Sequence, residues 1–276
     1  MLHLIYRNSK EPLFIGFERD KRMIVKAIEY LKNNQIEAVL LNQRFNEKIN
    51  KNIITTSGFY IINQRFSKVN EFVNQLEKKV DFLICDLGIS MFHLKEDWGF
   101  SMKNNHLDMR LDEESLNLLE ILNTYKEEDL ANIIYQYGEE RYSKYIAKEI
   151  VKKRPIQSAN ILKDIIINVY YKKLKKHINE KVVQRTFQAF RIYINKELEE
   201  LEILLKHLKN ILSRDGIAVF ISFHSLEDRI IKHAFKDLKN KGFSILTKKP
   251  LTPQQDELKV NSASRSAKMR VIQCNV

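Results

Sequence analysis

Residues 12–31 read PLFIGFERDKRMIVKAIEYL, an apolar run that ends in acidic residues and leads into a segment with a different period. The apolar run Pro12–Asp20 predicts a buried strand with a polar tip. In Lys21–Leu31 the apolar residues recur three and four positions apart, which is the spacing of one helix face. This stretch therefore predicts a strand followed directly by a helix.

The same alternation continues along the chain and is interrupted once. The further elements predicted in this way are a strand at Phe59–Phe66, a helix at Val69–Val80, a strand at Asp81–Leu87, a strand at Gly216–Phe223, a helix at Ser225–Phe235, and closing strands at Ser244–Thr247 and Met269–Cys274. Between them, Glu113–Leu212 has a helical pattern almost throughout. Apolar strands separated by helices predict an α/β fold with a parallel sheet covered on both faces. We expect a core of residues 1–107 and 213–276, interrupted by an all-helical insertion at 108–212.

The composition limits the classes of protein to consider. The chain has 276 residues, 44% of them hydrophobic, which is enough apolar material for a full core. Its formal net charge of +12 favours a polyanionic partner such as nucleic acid, although a lysine-rich proteome would produce the same surplus. Two isolated cysteines predict neither a zinc site nor a disulfide framework, and no segment has the pattern of a signal peptide or a membrane span. We expect a cytoplasmic protein without a structural metal.

Acidic residues follow two of the predicted strands. Glu18 and Asp20 come after the first strand, and Asp86 ends the strand Asp81–Leu87. Ligands of parallel sheets bind at the carboxyl ends of the strands, where an acid commonly accepts hydrogen bonds from the ribose of an adenosine cofactor. Such an acid can also serve a turn or cap a helix. This pattern does not choose among NAD, S-adenosylmethionine and ATP.

Five blocks of sequence resemble one known family. The segment Asp81–Asp112 (DFLICDLGISMFHLKEDWGFSMKNNHLDMRLD) resembles the RsmH (MraW) family signature around DLGVSS, GFSF and PLDMRMD. The other blocks follow in the family's order and are Ile133–Arg154 (IIYQYGEERYSKYIAKEIVKKR), Thr186–Glu202 (TFQAFRIYINKELEELE), Phe220–Phe235 (FISFHSLEDRIIKHAF) and Thr247–Val271 (TKKPLTPQQDELKVNSASRSAKMRV). The resemblance covers essentially the whole chain.

The resemblance implies a fold, a reaction and a cofactor site. It implies a Rossmann-like methyltransferase core with a helical substrate-binding insertion. It implies transfer of a methyl group from S-adenosylmethionine to N4 of a cytidine in the decoding region of small-subunit (16S) ribosomal RNA. The cofactor residues carried over by position are Glu18, Phe66, Asp86 and His93, the last standing where the family usually has Gln.

The methyl transfer needs an acceptor for the proton that leaves the amine. Asp86, Asp108 and Asp112 are candidate acceptors, and Arg110 could hold a phosphate or the cytosine carbonyl. Asp108 and Arg110 could equally form a local salt bridge that fixes the hinge of the insertion.

Two groups of cations are candidates for RNA binding. The first group recurs at spacings of three and four and comprises Arg141, Lys144, Lys148 and Lys152. The second lies near the C-terminus and comprises Arg265, Lys268 and Arg270. Each group predicts a surface that follows RNA phosphates, with an ordinary solvated face as the alternative.

The pair His224-Ser225 raises the separate question of a hydrolase. No G-x-S-x-G motif occurs in the chain. Ser225 and Asp228, three positions apart, instead predict the capped start of a helix.

The resemblance has one gap. The family pattern places a first strand and a glycine-rich loop (DATxGxGGHS) before GFERD, and this sequence has no counterpart and no GxG. The missing strand would lie between the strands that carry Glu18 and Asp86. We therefore expect either a gene start upstream of Met1 or a catalytically impaired, RNA- or ribosome-binding remnant of the family. A nicotinamide-dependent oxidoreductase is a third hypothesis, which lacks the G-x-G-x-x-G loop it would need.

Overall fold

The computed structural model describes most of the chain. The described residues are 12–41, 54, 57–96, 98–101, 106–113, 116–173, 175 and 180–276. No helix in these ranges is both long enough and apolar enough to span a membrane. The chain divides into two compact units, Met1–Leu87 with Leu198–Val276, and Gly88–Glu197. We call them the sheet unit and the helical unit.

The sheet unit contains strands and helices in alternation. Its strands are β1 (Leu13–Phe17), β2 (Ala38–Leu41), β3 (Gly58–Ile62), β4 (Val80–Asp86), β5 (Leu212–Ser222), β6 (Phe243–Ile245) and β7 (Lys268–Cys274). Its helices are α1 (Lys21–Asn33), α2 (Val69–Leu76), α10 (Leu208–Ile211), α11 (Ser225–Lys239) and α12 (Gln255–Val260), with 3-10 turns at Phe66–Lys68 and Ser262–Ser266. The α/β fold predicted from the sequence is confirmed, and β2 is a strand that the sequence pattern did not predict.

The first sheet has three parallel strands in the order β1-β3-β2. Helix α1 covers one face, where Ile24 and Leu31 pack with Phe59 and Ile61 of β3. These residues recur at helical spacing in α1 and at alternate positions in β3, so each element buries one face.

The second sheet has four strands in the order β4-β5-β7-β6. β4 and β5 are parallel, whereas β7 runs antiparallel to both of its neighbours. Phe220 of β5 packs edge-on against Phe235 of α11, with ring centroids 5.8 Å apart, and both side chains are buried. Because β4 and β5 are parallel and in register from Phe82 to Asp86, their carboxyl ends lie side by side.

Two apolar strands pair on one side only within the described ranges. β1 is bonded to β3 and β4 is bonded to β5. Leu13 of β1 and Phe82 of β4 are 37% and 43% exposed, although both belong to apolar runs. Helix α2 serves both sheets, because Phe72 packs in the core with β3 and Val73 packs in the core with β4 and β5. Within the described ranges, the strands that lead to Glu18 and Asp86 thus share a covering helix but no hydrogen-bonded neighbour.

The helical unit contains no strand among its described residues. Its helices are α3 (Met91–Lys95), α4 (Leu118–Thr124), α5 (Glu127–Gly138), α6 (Ser143–Lys152), α7 (Ala159–Asn168), which continues into a π-helical turn (Val169–Lys173), and α8 (Glu180–Asn195). Helix α9 (Glu197–Lys206) begins where the unit ends.

The helical unit begins and ends earlier than the predicted insertion at 108–212. Phe100 and Leu107 lie in the core of the helical unit, so these two residues before position 108 pack with the helices. Leu201 and Leu208 lie in the core beneath β4 and β5, so α9 and α10 belong to the sheet unit. Helical periodicity alone cannot show which core a helix covers.

Candidate functional site

The turn after β1 separates the two acids that follow this strand. Asp20 is buried and caps α1, because its side chain accepts a hydrogen bond of 2.8 Å from the Arg22 backbone N–H and forms an ion pair of 2.6 Å with the Arg22 guanidinium. The Glu18 carboxylate is partly exposed and accepts one bond of 2.8 Å from the backbone N–H of Asp20. The Asn63 side chain donates to the carbonyl oxygens of Glu18 and Arg19, each at 3.0 Å. Asp20 is therefore a cap, and Glu18 is held in place at the strand end.

Phe66 lies just after the end of β3, at the start of a 3-10 turn. Its ring is half-buried and packs on the core beneath β4 and β5. The preceding residue, Arg65, anchors the turn through an ion pair of 3.2 Å with the buried Glu200 of α9. The backbone that carries Phe66 is therefore fixed, while part of the ring stays accessible.

Asp86 ends β4 at the edge where β4 and β5 finish together. The Leu87 N–H continues the ladder by donating to the Ile221 carbonyl at 3.0 Å. Asp86 itself is exposed, yet partial desolvation of its carboxyl group and the nearby negative charge of Glu227 raise its pKa. Burial likewise raises the pKa of the adjacent Cys85 thiol, which therefore stays protonated. Asp86 is therefore the carboxylate at this edge whose pKa is raised by its surroundings.

Glu227 is a buried acid near Asp86 that the sequence analysis missed. It is buried in the first turn of α11, and its Oε2 accepts hydrogen bonds from the backbone N–H groups of Phe223 at 2.8 Å and His224 at 3.3 Å. The N-cap of α11 is His224, paired with Glu227, so the prediction that Ser225 and Asp228 form this cap was one residue out of register. The SLED sequence signals a helix start, but not which of its two acids faces the core.

His93 belongs to the helical unit and has a structural role there. Its side chain is buried, and its Nδ1 accepts the Ser90 backbone N–H at 3.0 Å in the capping box of α3. The ring also packs edge-on against Trp98 and Phe100, with centroids 5.5 Å and 5.0 Å away. These contacts account for the placement of the imidazole without a ligand.

Asp108 and Arg110 are brought together in the LDMRLD segment. The Arg110 Nε lies 2.6 Å from Asp108 Oδ1, and its Nη2 donates to Oδ2 at 3.1 Å. The hydrogen bond from Asp108 raises the pKa of the guanidinium. Between them Met109 is buried with φ at +61°, and Asn195 holds this backbone by donating to the Met109 carbonyl at 2.8 Å. The salt-bridge alternative considered from the sequence is thus the observed arrangement.

The first cation group forms an exposed face on the helical unit. Lys144, Lys148 and Lys152 lie one turn apart on α6, and Arg141 precedes the helix. All four are exposed, and none has an ion-pair partner among the described residues. We call them the α6 cation face.

The C-terminal cations do not form a comparable group. Arg270 is buried, and its Nε lies 2.7 Å from Asp228 Oδ1. Lys268 lies 3.5 Å from the same carboxylate, whereas Arg265 is exposed in the turn Ser262–Ser266. Arg270 is therefore withdrawn as an RNA-binding candidate, because its guanidinium is occupied in the interior.

This chain resembles known proteins over nearly its whole length. The model of the MraW methylase family matches residues 3–275. The chain is 38% identical to the ribosomal RNA small subunit methyltransferase H of Sulfurihydrogenibium sp. (strain YO3AOP1), and 44% identical to the protein of that name from Sulfurihydrogenibium azorense. Each comparison covers 98% of this chain and 87% of the relative. A protein of the same name from Neorickettsia sennetsu is 42% identical over 78% of this chain and 77% of its own length. With the α/β sheet unit and the acids at its strand ends, these matches show that the chain belongs to the MraW methylase family.

Proposed function

We propose that this chain uses S-adenosylmethionine to methylate N4 of a cytidine in the decoding region of 16S ribosomal RNA. The observation that carries the proposal is the placement of Asp86, a carboxylate of raised pKa at the joint carboxyl end of two parallel strands. Family membership supports a methyltransferase, and the relatives are named for small-subunit ribosomal RNA. The choice of cytidine N4 rests on the resemblance of the motifs.

The residues at the strand ends fit an adenosyl cofactor. A carboxylate such as Glu18 can accept hydrogen bonds from ribose hydroxyls, and the accessible part of the Phe66 ring can lie against adenine. When bound, S-adenosylmethionine supplies an electrophilic methyl group on a sulfonium sulfur. His93, carried over from the same resemblance, stays a proposal: its Nδ1 accepts the Ser90 N–H, so Nε2 is the ring nitrogen that could donate to a cofactor.

The chemistry assigned to the protein is positioning and proton removal. The N4 lone pair of cytosine is delocalised into the ring, so the amine is a poor nucleophile and becomes acidic as the new bond forms. A nearby Asp86 carboxylate would accept this proton, and its raised pKa makes it a stronger base than an ordinary aspartate. The cytidine must leave its stack to reach such a group. Correct placement of the two reactants can supply roughly 7–11 kcal/mol of the barrier.

RNA binding is assigned to exposed cations. The α6 cation face and Arg265 are free to contact phosphates, and the half-exposed Lys268 can do so in part. The chain's net charge of +12 adds long-range attraction to a ribosomal subunit. We therefore expect the small ribosomal subunit as partner and the cytoplasm as the compartment.

A second candidate is a family member with impaired catalysis that still binds RNA or the ribosome. It is favoured by the one-sided pairing of β1 and β4, since no strand among the described residues bonds the second edge of either one. Calorimetry with S-adenosylmethionine separates the two candidates. Binding supports the enzyme, and absence of binding together with retained RNA affinity supports the remnant.

The decisive experiment follows the methyl group. Small subunits from a strain lacking this gene are incubated with the purified protein and labelled S-adenosylmethionine, and their rRNA is digested and mapped by mass spectrometry. We expect one added methyl on a decoding-region cytidine, and lower cofactor affinity in Glu18→Gln with RNA affinity unchanged. Glu29→Gln, an exposed acid of α1, is the matched control. A methyl group on another base or atom would reject the assigned specificity, and equal loss of cofactor and RNA binding in Glu18→Gln would reject the ribose role.

A further inference from the structure

The helical unit contains an open cavity that none of the assignments above uses. Its volume is about 360 Å³. The lining residues come from the turn between α5 and α6, from the π-helical turn and from α8, and they are Glu139, Glu140, Arg141, Tyr170, Val182 and Arg185. Such a volume is at the lower end of the range for small-molecule sites.

A buried carboxylate organises one wall of this cavity. Glu140 is 1% exposed, and its Oε1 accepts hydrogen bonds from the Tyr142 backbone N–H at 2.9 Å and from the Tyr170 hydroxyl at 2.7 Å. Its Oε2 accepts a bond of 3.0 Å from Arg185 Nη2. The Arg185 side chain is 48% exposed, so one corner of its guanidinium is pinned inside and the remainder faces outward. A guanidinium held in this way loses little entropy on binding an anion.

Arg141 also lines the cavity and brings a second guanidinium group to it. Its guanidinium lies over the Tyr142 ring, 4.7 Å from the centroid, and the Tyr142 ring packs edge-on against Tyr170. The residue is exposed and has no ion-pair partner among the described residues, so its charge is available. Arg141 is also the first member of the α6 cation face, so this residue belongs both to that face and to the cavity lining.

We propose that this cavity binds one backbone phosphate of the substrate RNA between Arg141 and Arg185, with the attached ribose over Tyr170 and Val182. Two guanidinium groups suit a phosphodiester, because each presents several N–H donors in a plane. Glu140 acts as a positioning residue that holds one edge of the Arg185 guanidinium and aims its remaining donors. The inference rests on the proposed function, since it takes its ligand from the RNA substrate.

The test measures affinity for an rRNA fragment at several salt concentrations. The variants are Arg141→Ala, Arg185→Lys and the two combined, with Lys126→Ala as the control, an exposed cation of the same unit outside the cavity and the α6 cation face. Each phosphate contact contributes roughly 0.7–0.9 to the slope of log affinity against log salt. We expect the slope of Arg141→Ala to fall by about one contact and affinity to fall roughly fivefold to tenfold, with a further loss in the combined variant.

The variants must fold for the result to be interpreted. Arg185→Lys keeps a positive charge beside Glu140, and Arg141 has no buried partner, so both variants are expected to fold, which circular dichroism and thermal unfolding check. If the parent protein binds and methylates RNA while Arg141→Ala and the combined variant behave like Lys126→Ala, the inference is wrong and the proposed function stands. If the parent protein binds no rRNA, the proposed function and the inference both fall.

Discussion

The guanidinium Nε of Arg110 lies 2.6 Å from Oδ1 of Asp108, so two residues offered separately as catalytic candidates form one ion pair. A paired Arg110 holds the Asp108 carboxylate and reduces its availability as a proton acceptor. Asp86 has no comparable partner among the described residues and carries a raised pKa, which makes it the stronger candidate base.

The first prediction concerns this pair. If Asp108 and Arg110 act as one unit, Asp108→Ala, Arg110→Ala and the double variant should lower the rate of methyl transfer by similar factors, because losing either partner breaks the unit. Both side chains are partly exposed, at 44% and 26%, so each variant should destabilise the fold by less than about 1 kcal/mol. Methyl-transfer rates and chemical denaturation measure the two effects. Multiplicative losses in the double variant would show that the residues act independently.

The second prediction concerns the pH dependence of Asp86. A base acts only when it is deprotonated. The pH–rate profile should therefore have a rising limb whose midpoint lies above the ordinary pKa of an aspartate. Asp86→Asn should remove most of the activity. Glu227→Gln removes the neighbouring negative charge and should move this limb to lower pH. Rates measured from pH 4 to pH 9 under single-turnover conditions test the limb. If the rising limb of the pH–rate profile lies at the same pH in Glu227→Gln as in the parent protein, Asp86 is not the group that titrates.

The same pKa has a consequence for stability. Because folding raises the pKa of Asp86 above its unfolded value, its contribution to stability is present at low pH and is lost as pH rises through the folded pKa. Asp86→Asn should therefore be more stable than the parent protein at neutral pH while being less active. Thermal unfolding at pH 7 measures this, and a destabilised Asp86→Asn would point to a structural role instead.

The third prediction concerns Asp228 and Arg270. Burial alone would raise the pKa of Asp228, but the hydrogen bond and charge of Arg270 outweigh it and hold the pKa below its usual value. This stabilisation is present above the unfolded pKa and is lost as pH falls through the folded one. Arg270→Ala should destabilise the protein by about 1–3 kcal/mol at pH 7, because it leaves a largely buried carboxylate with only the longer Lys268 contact of 3.5 Å. Lys268→Ala is the milder comparison, and denaturation at pH 7 and pH 3 should show the Arg270→Ala deficit shrinking in acid. Loss of RNA affinity in a folded Arg270→Ala protein would contradict its assignment to the interior.

The fourth prediction concerns the α6 cation face. Replacing Lys144, Lys148 and Lys152 by Ala should lower the salt slope of RNA binding by roughly two to three contacts. Each exposed, unpaired lysine should change stability by no more than about 0.5 kcal/mol. Fluorescence anisotropy with an rRNA fragment measures the slope, with Lys126→Ala as the comparison. An unchanged slope would make this face an ordinary solvated surface.

Much of the site could be predicted from local patterns. An apolar run that ends in an acid already indicates a strand tip at a ligand edge, as at Glu18 and Asp86. Spacings of three and four place Lys144 and Lys148 on one exposed face. Such features depend on neighbours within one or two turns, so the sequence contains what is needed to infer them.

The sequence by itself determined the alternation of strands and helices, the acids at the strand ends and the family. Only the tertiary structure decided which charges are free and which core each helix covers. Arg270 and Lys144 are both cations in segments that the sequence assigns to RNA binding. Arg270 is nevertheless buried and forms an ion pair with Asp228, which lies 42 positions away in the sequence. Likewise the roles of Glu227 and Glu140 depend on the fold. Folding buries the Glu227 carboxylate near Asp86 and the Glu140 carboxylate beside Tyr170 and Arg185. The reason is that burial and ion pairing depend on contacts between residues remote in sequence, which local periodicity does not encode.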